Sequence, residues 1–114
     1  MKGENEMADR WIWGCVNANG TTHSGSGFTV ERLSNAGSYI ITYDTPFSAT
    51  PAVVLTQQFA NPYAWDNFNY KDGMTLDNAV LVASDKTHFK LKTGDNDGNG
   101  SYRNFTFIAF GPVS

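Results

Sequence analysis

The stretch of this chain that most resembles a ligand-binding element is acidic and lies near the C-terminus, DNDGNG at residues 95–100. Its spacing matches the opening of an EF-hand loop, where oxygens at positions 1, 3 and 5 bind calcium and glycine permits a sharp turn. Position 12 should supply a bidentate acid but is Thr106, and no helix is predicted on either side. An EF-hand is therefore excluded. A looser calcium site at Asp95, Asp97 and Asn99 and a hairpin turn both stay open as interpretations.

Groups that could act in catalysis are sparse. The chain holds one cysteine, Cys15, and two histidines, His23 and His88, and it lacks the G-x-S-x-G, H-E-x-x-H and C-x-x-C patterns. Cys15 stands in an apolar segment that is typical of a buried strand thiol. The histidines fall in a Ser/Gly/Thr turn and on the outer face of a strand. We therefore predict a non-catalytic protein with no cofactor and, apart from the calcium interpretation that stays open at 95–99, no metal ligand.

Aromatic, amide and carboxylate side chains are concentrated in two predicted loops, residues 60–72 and 94–103. The candidate ligand-binding residues in them are Tyr63, Trp65, Asp66, Asn67, Asp95, Asn96, Asp97, Tyr102 and Arg103. A sugar presents apolar ring faces and hydroxyls, so a shallow sugar site combines an aromatic platform with planar polar groups. We predict that Trp65 or Tyr63 stacks on a sugar, that the acids and amides accept hydrogen bonds, and that Arg103 donates. Alternatively, the aromatic side chains anchor the loops against the sandwich edge.

The elements that must position these loops show a hydrophobic period of two. About seven short strands are predicted between residues 11 and 111, at 11–17, 28–33, 38–43, 52–59, 78–84, 87–93 and 104–110, with no helix longer than about two turns. Turn residues fill 17–27, and 60–77 is predicted as a long irregular loop, which is uncommon unless it has a function. The pattern predicts an all-β antiparallel sandwich or a small jelly roll.

Alternation assigns one face of these strands to the core. The predicted inward residues are Phe28, Val30, Tyr39, Ile41, Val53, Leu55, Val80, Val82, Phe89, Leu91, Phe105 and Phe107. Three aromatic residues, Trp11, Trp13 and Phe110, are left on outer faces. They indicate either a protein partner or self-association, or they complete the core at the ends of the sandwich.

Length and composition limit the alternatives. The 114 residues allow one domain, which we place at 11–114 after a polar N-terminal segment or linker at 1–10. An aromatic content of 14% excludes a disordered chain. A net charge of −3 without a basic patch argues against nucleic-acid binding. The sequence contains no apolar stretch of the roughly 20 residues needed for membrane insertion, and the first ten residues lack the apolar core of a secretory signal.

The C-terminal half resembles the H-type lectin domain. The shared features are the pattern F-x-x-x-P-x-V that begins at Phe47, the strand pair through 78–80 and 89–91, and the ending FIAFG at 107–111. This family is a six-stranded antiparallel sandwich that forms trimers and binds galactose or N-acetylgalactosamine. The resemblance implies sugar contacts in the connection before the last strand, here 95–103.

The N-terminal half is similar to modules at the distal ends of phage and bacterial fibre proteins. The residues that carry this resemblance are 14–30, 37–43 and 46–51. Such small trimeric β-domains serve as receptor-binding tips. The two resemblances imply a homotrimeric lectin or adhesin that binds surface glycans at an extracellular, virion or cell-surface fibre tip. The alternative is a trimerisation or fibre-tip module without a soluble ligand, in which Trp65 and Tyr102 would be buried.

Overall fold

The computed structural model of the chain describes residues 8–59, 65–70 and 73–113. These residues contain eight strands: β1 (Asp9–Val16), β2 (Thr22–Gly25), β3 (Phe28–Arg32), β4 (Ser38–Tyr43), β5 (Ala52–Gln58), β6 (Asn78–Ser84), β7 (His88–Gly94) and β8 (Asn104–Pro112). All strand pairs are antiparallel, in two four-stranded sheets of order β2-β1-β8-β5 and β3-β4-β7-β6. The predicted antiparallel β-sandwich is confirmed. No helix that could cross a membrane is present in this described part of the chain.

We name the first sheet the aromatic sheet, because Trp11 and Trp13 lie on its outer face, and the second the lysine sheet, because Lys90 and Lys92 lie on its outer face. The inner faces of the two sheets form one aromatic core, in which the Phe107 ring meets those of Phe28 and Phe89 edge-on at centroid distances of 4.9 and 5.2 Å. Of the predicted inward residues, seven are buried: Phe28, Tyr39, Ile41, Phe89, Leu91, Phe105 and Phe107. Three more are partly buried against them: Val30, Val53 and Leu55.

Two predicted core residues, Val80 and Val82, are instead 51% and 53% exposed. Val80 pairs with Lys92, which points outward because its neighbours on β7 point into the core. A bulge between Leu81 and Ala83 then shifts the register, so the alternation that predicts inward valines does not continue across it. Both valines lie on the outer side of the lysine sheet.

The eighth strand, β2, lies inside the stretch 17–27 that was predicted as a turn. A Cβ on Gly25 would lie 2.3 Å from the Trp13 carbonyl oxygen. Glycine therefore permits this edge strand to approach β1 closely. The Asn, Gly and Ser residues of 17–27 are also the reason why the sequence predicts a turn there. Strand β1 begins at Asp9, two residues before the predicted start of the domain.

Antiparallel pairing places residues 17–21, 33–37 and 95–103 at one end of the sandwich, which we name the loop end. Strand β5 ends and strand β6 begins at this same end. Side-chain hydrogen bonds cross between the sheets there. The Tyr39 hydroxyl of the lysine sheet donates to the Ala18 carbonyl at 2.7 Å, and the Gln57 amide of the aromatic sheet donates to the Gly94 carbonyl at 2.8 Å. The two loops predicted to bind ligand therefore begin from the same end.

Candidate functional site

Tyr102, a predicted ligand-binding residue, holds the loop end together. Its hydroxyl donates to the Leu33 carbonyl, and the Arg32 guanidinium lies 4.3 Å from its ring centre. Its ring also packs edge-on against Tyr39 at 5.8 Å. Burial raises the pKa of Tyr39 to about 12. Both tyrosines therefore act as internal ties between connections.

Arg103 is similarly occupied by the protein itself. Its guanidinium donates to the Gln57 side-chain oxygen at 3.2 Å, lies 3.7 Å from the Asp77 carboxylate, and stands 5.1 Å above the Phe59 ring. The Asp77 side chain is only 4% exposed, so this cation compensates a buried charge. Arg103 joins the last connection to residues that flank the 60–72 loop.

Trp65 also makes an internal contact. Its indole N–H donates to the Asn17 side-chain oxygen at 2.8 Å, and the ring stacks on His23 at 4.8 Å with planes 13° apart. One indole face is thus covered, as the anchoring interpretation of this loop expects. Asp66 and Asn67 are exposed, whereas the Tyr63 prediction lies outside the described residues.

The acidic stretch at 95–100 forms a tight hairpin turn. One Asp95 oxygen accepts the backbone N–H groups of Asp97 at 3.0 Å and Asn99 at 2.9 Å. The Asn99 bond is the largest of the influences that hold the pKa of Asp95 below its ordinary range. Asn96 and Asp97 are exposed at the tip. Over the ranges that the structure describes, no three His, Cys, Asp or Glu side chains cluster closely enough to hold a metal ion.

This turn folds back over the outer face of the lysine sheet. Gly100 forms a bridge with Gly94, and a Cβ on Gly100 would lie 2.2 Å from the Ala36 carbonyl oxygen and 2.8 Å from the Lys92 Cε. The Thr93 hydroxyl fixes the returning chain by donating to the Ser101 carbonyl at 2.6 Å. The stem of Lys92 is therefore packed beneath the turn.

Between this turn and β6 lies a groove of about 390 Å³. Its aliphatic floor is formed by Leu76, Val80 and Val82. Its other lining residues are Asn78, Lys92, Thr93, Gly94, Asp95, Gly98, Asn99 and Gly100. Among the lining residues, Asp95 was predicted as a sugar contact, and Asn99 was named in the looser calcium site. The sequence does contain a signal for the groove, the unbroken apolar run at 80–82. In a strand with strict alternation, such a run must direct at least one apolar side chain to the outer face.

The second histidine belongs to the β6–β7 turn at the other end of the sandwich. Asp85 Oδ1 and the Thr87 hydroxyl each lie 2.8 Å from the same His88 nitrogen, Nδ1. In a catalytic acid–histidine–hydroxyl relay the carboxylate and the hydroxyl contact opposite ring nitrogens. Asp85 also accepts the Thr87 and His88 backbone N–H groups, and these bonds hold its pKa well below its usual range. The cluster closes a turn.

The outer face of the aromatic sheet is uncovered within the described chain. Its exposed fractions are 63% for Trp11, 51% for Trp13, 64% for Val54 and 42% for Ile108. Phe110 is partly buried beneath Trp11, with ring centres 4.3 Å apart. The outward placement of the two tryptophans is confirmed, and they do not complete the core.

The chain was compared with protein-family models, with curated proteins and with solved structures, and none of the three comparisons found a match. The resemblances to H-type lectins and to fibre-tip modules therefore stay predictions.

Proposed function

We propose that this domain is a non-catalytic carbohydrate-binding module of the lectin or adhesin type, with its site in the groove beside residues 95–100. The observation that carries the proposal is an aliphatic floor bounded by amide, ammonium and carboxylate groups at the loop end. Small-ligand sites are typically concave and mostly apolar, with few polar groups and volumes of roughly 300–1,000 Å³. The groove has this size and this distribution of groups.

The lining chemistry suits a sugar ring. The C–H face of a pyranose would pack on Val80 and Val82, while the Asn78 and Asn99 amides can both donate to and accept from hydroxyls. Lys92 adds a donor whose stem is already held by Gly100, which lowers the conformational entropy lost on binding. Asp95 keeps one carboxylate oxygen outside its turn hydrogen bonds.

The acids of the groove support binding rather than cleavage. A typical glycosidase needs two carboxyl groups on either side of the scissile bond, roughly 5–10 Å apart. Among the described residues that line the groove, Asp95 is the only carboxylate. Open sites of this kind bind weakly, in the millimolar to high micromolar range, or roughly −4 to −6 kcal/mol. Several copies on one particle would raise the avidity without new contacts.

A matched pair of lysines provides the test. Lys90 and Lys92 are both half-buried, both on β7 and both directed outward, but only Lys92 lines the groove. The parent protein is first screened on a glycan array. We expect Lys92→Ala and Val80→Asp to weaken capture of the selected glycan by about tenfold, or ~1.4 kcal/mol, and Lys90→Ala to leave it unchanged. Equal capture by all four proteins would exclude the groove as the site.

A second candidate is a trimerisation or fibre-tip module without a soluble ligand. One specific observation favours it: the side chains of Trp65, Tyr102 and Arg103 form hydrogen bonds to other residues of the domain. The glycan screen separates the two candidates, because a folded parent protein that captures no glycan supports this second function.

A further inference from the structure

The outer face of the aromatic sheet is a continuous apolar surface across three neighbouring strands. Strand register places Trp11 opposite Phe110, and Trp13 opposite Ile108, between β1 and β8. Val54 of β5 then lies opposite Ile108 on the other side. Side chains directly opposite on one face of a sheet contact each other, so these five residues form one patch rather than isolated exposed positions.

The patch continues without charge toward the loop end. Toward the loop end, the neighbouring outward positions are Cys15, Thr106 and Thr56. At the opposite end the patch is bordered by Ala52, by Pro112 and by one exposed carboxylate, Asp9. Interfaces between identical chains are about 65% apolar and are depleted in charged residues, whereas other interfaces are about as polar as the rest of the surface. The composition of this face is therefore that of an interface between copies.

The size of the patch is also that of an interface. From the exposed fractions given above, it presents on the order of 400–500 Å² of apolar surface, since an aromatic side chain spans about 150–250 Å². A standard interface covers roughly 800 Å² on each partner. If about 65% of that area is apolar, each partner buries about 500 Å² of apolar surface in the interface. The uncovered patch matches that requirement.

We infer that a second copy of this chain covers the outer face of the aromatic sheet, so that the domain is a homo-oligomer with Trp13 and Ile108 at the centre of its interface. Central tryptophans shielded from water commonly contribute most of the binding free energy. This inference does not depend on sugar binding, because the groove lies on the other sheet. A trimer, as the resemblances imply, and a dimer both satisfy it.

Three lysine substitutions at exposed branched aliphatic residues test the inference. Val54→Lys and Ile108→Lys place a charge in the patch, while Val80→Lys makes the same change at a 51% exposed position of the lysine sheet. In sedimentation equilibrium at tens of micromolar protein, we expect the parent and Val80→Lys to be the same oligomer. Val54→Lys and Ile108→Lys should be monomers, with dissociation constants raised at least a hundredfold.

Two results would overturn the inference: a monomeric parent protein, or an oligomer whose size neither patch substitution changes. Circular dichroism confirms that each variant is folded. If Ile108→Lys on the central strand β8 fails to fold, Val54→Lys decides alone, since it lies on an edge strand and its side chain is already 64% exposed.

Discussion

The two outer faces of this sandwich are built on similar inward-facing patterns but differ in what they present to solvent. The aromatic sheet exposes Trp11, Trp13 and Ile108 with no charge between them. The lysine sheet presents His88, Lys90 and Lys92 along β7, and its exposed valines lie at the β6 edge beside residues 95–100. The inward residues of both sheets form one common core, whereas the outward residues give the two faces different chemistry.

On the lysine sheet, the packing of the turn at 33–37 against β7 can be disrupted at Gly37. This residue has a φ of +82°, and a Cβ there would lie 2.2 Å from the Thr93 carbonyl oxygen. We expect Gly37→Ala to lower the free energy of unfolding by about 4 kcal/mol, because backbone strain is added to a steric clash. Urea denaturation measures the change.

Gly98→Ala is the matched control for this substitution. Gly98 also has a positive φ, +85°, but apart from its two chain neighbours no described residue has an atom within 4 Å of its Cβ position. We expect a loss of about 1 kcal/mol from strain alone. Equal losses in the two variants would contradict the close packing of the turn at 33–37 against β7.

A smaller effect comes from two tyrosines on β4 of the lysine sheet. Burial raises the pKa of both Tyr39 and Tyr43 to about 12. Because the folded pKa lies above the ordinary value of about 10, the stabilisation is complete below pH 10 and is lost as pH rises through 12. At pH 11 we expect a loss of about 1 kcal/mol per tyrosine.

Tyr43→Phe isolates one of these groups. The Tyr43 hydroxyl is buried and has no hydrogen-bond partner in the described structure, so its removal leaves no partner unsatisfied. In urea denaturation across this pH range, the variant should lose about half as much stability as the parent. Identical losses would show that Tyr43 ionises with the same pKa in the folded and unfolded chains.

Sequence patterns were sufficient where strands are central and regular. The inward residues of β4, β7 and β8 follow strict alternation, and the outward tryptophans of β1 follow from the same rule. The pattern failed at two of the four edge strands. Strand β2 has the composition of a turn, and a bulge in β6 breaks the alternation, so that Val80 and Val82 both lie outward. An edge strand has one hydrogen-bonded neighbour, so bulges are tolerated there and local sequence does not reveal them.

The candidate site was predictable only in part, because its contacts depend on residues that are distant in sequence. Both predicted loops do start from the loop end, and Asp95 does line the groove. Whether Trp65, Tyr102 and Arg103 face ligand or protein depends on partners distant in sequence, such as Asn17, Leu33 and Asp77. Residue type and spacing within a loop cannot identify those partners.

The most direct test asks whether the two faces differ in accessibility as well as in composition. Trp11 and Trp13 have exposed fractions similar to those of Val80 and Val82 on the other sheet. Hydroxyl-radical footprinting of the parent and of Val54→Lys, at tens of micromolar, compares all four residues. We expect both tryptophans to be labelled several-fold more slowly in the parent, and both valines to be labelled equally in the two proteins. Tryptophan labelling that is equally fast in both proteins would contradict a covered aromatic face.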